Sequence, residues 1–166
     1  MSVNRDRPHV LVLPEDDANR QLATGFHLEV DLARQRQMQV LPVAGGWMEV
    51  LNRFKTEHVD NMIRLPNRHL VLLVDFDNRQ DRLDRIRRDV PPGISERVFV
   101  LGVWSRPEAL KQKQASMGSL GSFETIGSAL ATDCRQGTDS TWKHEPLRHN
   151  LGELDRLNEH VRPILF

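Results

Sequence analysis

Four apolar runs punctuate the first two thirds of the chain, and each ends in a turn or a cluster of acids. His9–Leu13 (HVLVL) is continuous and stops at Pro14, followed by Glu15, Asp16 and Asp17. An apolar run without alternation is the pattern of a strand buried on both faces, as in a parallel sheet. Asp17 is placed to cap a helix over Ala18–Phe26. Gln37–Val43 reads as a second strand that Pro42 stops. After Ala44-Gly45-Gly46, the residues Trp47, Val50, Leu51 and Phe54 recur at helical spacing. His69–Val74 (HLVLLV) carries the strongest strand signal and ends in Asp75-Phe76-Asp77. Arg79–Val90 reads as a helix with Leu83, Ile86 and Val90 inward, stopped by Pro91-Pro92-Gly93, and Val98–Val103 is a fourth strand. The order βαβαβαβ with right-handed crossovers predicts an α/β fold: a Rossmann-like parallel sheet of about four strands covered by helices.

Beyond Pro107 the pattern turns helical. Glu108–Gln114 reads as a short helix and Ala115–Ser122 as a stretch of small residues. In Phe123–Cys134 an apolar stripe runs through Phe123, Ile126, Leu130 and Cys134; a last amphipathic helix spans Leu151–Val161, before the apolar tail Ile164–Phe166. The expected organisation is a single domain over residues 1–166, with an α/β core over 8–113 and a helical extension over 114–166.

Composition narrows the chemistry. Lys+Arg and Asp+Glu each total 23, so nucleic-acid affinity requires a local basic patch. A single cysteine, Cys134, excludes an intrachain disulfide and a cysteine-rich zinc ribbon, and reads as an inert core thiol. The absence of tyrosine excludes tyrosine-linked covalent catalysis within this chain. The start, MSVNRDRPHVLVL, lacks an apolar signal region, and no run is long enough to span a membrane, so a soluble, cytoplasmic protein is expected.

Open α/β sheets place their sites at the carboxyl ends of strands, which is where the acids fall. Mg²⁺ and Mn²⁺ prefer oxygen ligands. If the chain stays extended past the third strand, Asp75 and Asp77 share a side with Phe76 opposite, and can hold one metal. Glu15 then serves as a further ligand or as base to a water, and Glu108 lies where a second ion could sit. Read separately, Asp16 and Asp17 are helix caps.

The Glu after strand one, the D-x-D after strand three and the βαβαβαβ order resemble the TOPRIM fold of topoisomerases, bacterial primases, recombination-repair proteins and OLD-type nucleases. The resemblance covers about Pro8–Lys113 and carries over Glu15, Asp75 and Asp77; Ser105–Glu108 resembles an acidic motif of OLD-type members. The family often has Gly after its Glu. Here Asp16-Asp17 follow, so any of the three acids could hold that role. Lacking tyrosine and a zinc module, the chain is most similar to small stand-alone or OLD-type members. The resemblance implies Mg²⁺- or Mn²⁺-dependent hydrolysis of DNA or RNA, and a place beside an ATPase or other protein in a phage-defence complex.

The same segment also resembles two-component receiver domains, with paired acids after strand one, a phosphoacceptor at Asp75 and Ser105 after strand four. A receiver needs a fifth strand ending in Lys-Pro, which the sequence lacks. A non-catalytic TOPRIM-fold binding subunit is the third reading. Arg79 and Arg82 are candidate phosphate contacts on a helix that also reads as a solvated charged face. Arg106, Lys111 and Lys113 are candidates for charge neutralisation, Lys111 as a catalytic group and the other two as nucleic-acid contacts. Trp104 reads as core with an option of base stacking, and His144 and His149 read as surface or packing residues.

Overall fold

A computed structural model describes residues 2–110 and 121–166. Four strands, β1 (His9–Pro14), β2 (Met38–Val40), β3 (Arg68–Leu73) and β4 (Val98–Leu101), form an all-parallel sheet in the order β2-β1-β3-β4. The α/β class and parallel sheet match the pattern of apolar runs. β2 is shorter than the run that predicted it because the chain leaves the sheet before Pro42, which has no N–H to donate.

Strand alternation sorts the core into two layers. Val10, Val12, Val71, Phe99 and Leu101 face one layer; Leu11, Leu13, Leu70, Leu72 and Val100 face the other. The second layer is covered by α2 (Trp47–Arg53), α3 (Val59–Arg64) and α4 (Gln80–Arg88). A π-helical turn at Phe54–His58 joins α2 to α3 and keeps both Phe54 and Met62 inward.

The first layer is covered by α1 (Asp17–Leu28) and by the C-terminal part: α5 (Phe123–Gln136), α6 (Leu154–His160) and α7 (Arg162–Leu165). Helices α1 and α5 cross with their backbones in contact. A Cβ on Gly127 would lie 2.0 Å from the Leu22 carbonyl oxygen, and one on Gly25 2.0 Å from that of Glu124. The apolar tail completes this layer, with Ile164 and Leu165 buried. Cys134 is buried on the α5 stripe, and burial pushes its thiol up to about 11, in keeping with an inert core role.

Among the described residues no strand follows β4. On that side the chain just past β4 is instead bonded by a 3-10 segment, Glu145–Glu153. Asn150, 1% exposed, accepts from the Gly102 N–H (3.2 Å) and donates to the Gly102 carbonyl (2.9 Å), imitating one rung of a ladder. Trp104 N–H donates to the Pro146 carbonyl at 2.8 Å. Gly102 itself has φ +150° and lies so close to Val74 that a Cβ would sit 1.7 Å from the Val74 oxygen, so no other residue fits there. Asn150→Ala leaves both Gly102 groups buried without partners. We expect it to lower unfolding stability by about 2–4 kcal/mol, measured by urea denaturation with an unchanged m-value.

Candidate functional site

The strand order reverses between β1 and β3: β2 lies on one side of β1 and β3 on the other. Ligands of open α/β sheets bind outside the carboxyl ends of strands at such a point. Three acids meet there. Glu15 Oε2 accepts the Asp75 backbone N–H at 2.7 Å and is also bound by the Trp47 N–H. Asp16, not Asp17, caps α1: its Oδ1 accepts from the Asn19 backbone N–H at 2.9 Å. Asp17 is one residue too late to cap; it is the first helical residue, exposed and engaged with Arg20 and Gln21.

The residue that ties the two strand ends together is Asn19. Its side chain is fully buried, and Nδ2 donates to Asp16 Oδ1 (2.9 Å) and to Asp75 Oδ1 (3.2 Å), while its Oδ1 is buried without a partner. The Asp16 and Asp75 carboxyls are themselves hydrogen-bonded. Asp75 is thereby pushed up to about 8, first by burial, then by the negative charges of Asp16 and Glu15. Burial also raises Glu15, opposed by its backbone donors. Arg82 stays off the carboxylate. Its guanidinium donates to the Asp75 backbone carbonyl (2.5 Å) and lies 5.0 Å from the Trp47 ring centroid.

Asp77 does not share Asp75's surroundings. The chain remains extended through Phe76, whose N–H donates to the Val103 carbonyl at 3.0 Å, then turns left-handed at Asp77 (φ +52°) and Asn78 (φ +58°). Strand alternation therefore ends one residue early, and Asp77 is exposed. Glu108 and Arg106 are also exposed. Arg79 pairs with Asp81 at 2.7 Å on the helix surface. Lys111 and Lys113 lie outside the described residues. Trp104 packs against Phe76 and a half-buried His149, with ring centroids 5.8 and 5.1 Å away. Burial pushes His149 down to about 4 and fits its packing role.

Among the described residues, no group of three or more His, Cys, Asp or Glu is arranged to hold a metal ion by itself. The donor set at β1 and β3 nevertheless suits a hard cation. Mg²⁺ characteristically takes one or two carboxylates and fills its other positions with water and phosphate oxygens. Asp16 and Asp75 form such a pair, bridged by the Asn19 amide. Asn19 was missed by periodicity because an asparagine in a first helical turn signals nothing beyond capping; its carboxylate partner lies 56 residues away.

Comparison with protein-family models, with curated proteins and with solved structures finds no match to this chain.

The raised pKa carries a signed consequence. Above the ordinary carboxylate range and below about 8, folded Asp75 holds a proton that the unfolded chain has released, so stability falls as pH rises through that window. The histidines shifted down by burial add the opposite slope, but equally in the wild type and in Asp75→Asn. Between about pH 6.5 and 8.5 in chelator, the melting temperature of the wild type should therefore fall relative to that of Asp75→Asn, followed by circular dichroism.

Proposed function

We propose that this chain is a TOPRIM-like, Mg²⁺- or Mn²⁺-dependent phosphodiesterase that cleaves DNA or RNA in the cytoplasm, working beside an ATPase or other protein in phage defence. The observation that carries the reading is the set of Glu15, Asp16 and Asp75 at the β1–β3 crevice, with Asp16 and Asp75 in contact and, among the described residues, no cationic side chain paired with either carboxylate. No helix among the described residues is long and apolar enough to cross a membrane, which agrees with action away from one.

In this reading Asp16 and Asp75 hold the metal, which supplies charge neutralisation for the phosphate and its attacking water. Glu15 is fixed by two backbone donors, and burial raises it toward the range of a working base, so it accepts the proton of that water. Asn19 aligns the two aspartates without adding charge. Arg82 and Trp47 buttress the Asp75 backbone and Glu15, which makes Arg82 a positioning residue more than a phosphate contact. Exposed Arg106, Glu108, Asp77 and Arg79 are left to approach substrate, together with Lys111 and Lys113.

A receiver-like phosphoacceptor is the second reading, favoured by the direct Asp16–Asp75 contact and by Ser105 at the end of β4. Against it, the edge of β4 where a fifth strand would pair is taken by Asn150 and Pro146.

Plasmid DNA and structured RNA incubated with Mg²⁺ or Mn²⁺ should be cut by the wild type and left intact by Asp75→Asn and Glu15→Gln. Absence of cleavage, with acetyl phosphate labelling Asp75, would establish the receiver reading instead. Absence of both would leave a binding subunit. Metal binding is read separately: Asn19→Ala should weaken Mn²⁺ binding by about 10-fold or more, measured by calorimetry on protein shown to be folded.

A further inference from the structure

At the opposite end of the sheet lies a mostly buried cation that no anion among the described residues pairs with. Arg68 opens β3, His9 opens β1, and the register sets them side by side. Arg68 is 5% exposed and His9 is fully buried. His9 Nδ1 lies 2.8 Å from the Arg7 carbonyl, so this nitrogen carries the proton, and Nε2 is left to accept from Arg68 Nε at 3.0 Å. The imidazole is thus a neutral acceptor and contributes no counter-charge.

A guanidinium has five N–H groups. Among the described residues, the bond to His9 is the one acceptor that Arg68 finds, and no carboxylate pairs with it. The influences on its charge are burial, then repulsion from Arg5, and both lower its pKa. His58 is the third basic neighbour. It is 8% exposed, its Nδ1 is buried without a partner, and Arg68 repels its charge. The acid acting on His58 is the exposed Glu57, whose charge is not among the influences on Arg68. Arg68 has no nitrogen enclosed without a partner, so its Nη groups are open to an anion from solution, and a mostly buried charge gains from such a partner.

We propose that Arg68, with Arg5 and His58 as neighbours, forms a binding site for a phosphate-type oxyanion at the amino-terminal edge of the sheet. The planar fork of arginine suits two oxygens of one phosphate, and the second permanent cation, Arg5, matches a dianion better than a single carboxylate. The site is independent of the metal reading. The run of β3 and the two residues after it separate Arg68 from Asp75 by roughly 20 Å.

The test is calorimetric titration of the full chain at pH 7 in chelator, with inorganic phosphate at constant ionic strength. One site with a Kd of about 1 mM or tighter is expected, weakened about tenfold or more in Arg68→Met and measurably in Arg5→Ala. Asp75→Asn should bind phosphate like the wild type, whatever becomes of metal-dependent cleavage. Adenosine monophosphate binding more tightly than inorganic phosphate would identify a nucleotide as the source, and phosphate binding alone a free anion. A second readout separates binding from architecture: without phosphate, Arg68→Met should melt no lower than the wild type, and phosphate should raise the melting temperature of the wild type but not of Arg68→Met. No phosphate binding by the wild type overturns the proposal, as does binding undiminished in Arg5→Ala. Because Arg5 is exposed, that variant decides the matter even if Arg68→Met fails to fold.

Discussion

Two neighbouring parallel strands in register must end together, and here both end in acids. Glu15 and Asp16 follow β1 and Asp75 follows β3; the Glu15 N–H still donates to the Leu73 carbonyl, while the Asp75 N–H turns to the Glu15 side chain. Everything else at this end accommodates that crowding. Asn19 is buried to bridge two carboxylates, Arg82 is drawn to the Asp75 carbonyl, and the chain swings left-handed immediately after Phe76. Repulsion confined by burial is costly to folding, and a structure that retains it favours whatever cation or proton relieves it.

The folding solution on the far side of β4 has the same character. A parallel sheet with an open edge invites pairing with another chain. The protein closes its edge with one asparagine side chain and one carbonyl on a 3-10 segment, and Gly102 permits this by bringing β4 close against Val74. The C-terminal helices are thereby anchored to the sheet at its edge, while the α1–α5 glycine contact anchors them to its face. This first layer supports Asn19 from behind, since Leu22 and Ala23, one turn further along α1, pack in the same core cluster as Ile126 and Leu130.

The sequence made the strands legible because burial on both faces leaves unbroken apolar runs, and it made Glu15 and Asp75 legible because strand ends are where such sites lie. It made the partnership of Asp75 with Asp77 look natural, since alternation assumes an extended chain. The assumption failed at the left-handed Asp77-Asn78 turn, where Asn78 N–H donates to the Trp104 carbonyl at 2.7 Å. A turn of that kind depends on what β4 offers it, and local propensity does not encode that. Asn19, Asn150 and Arg68 were illegible for a related reason. Each is a polar residue whose burial depends on a partner distant in sequence: Asp75, Gly102 and His9.

A formal charge of zero therefore hides a separation of charge along the sheet. Among the described residues, half-buried acids meet at the carboxyl ends with no cation paired to Asp16 or Asp75, and at the amino ends a mostly buried guanidinium meets arginine and histidine with no acid. Had the two groups been adjacent, Arg68 and Asp75 would have satisfied one another as an ordinary buried ion pair, and neither end would call for anything from solution. The length of β3 keeps them apart, because a rigid strand fixes both ends and allows neither side chain to reach the other. Local charge balance, unlike net charge, is set by topology. In this fold it gathers acids at one end of the sheet and cations at the other.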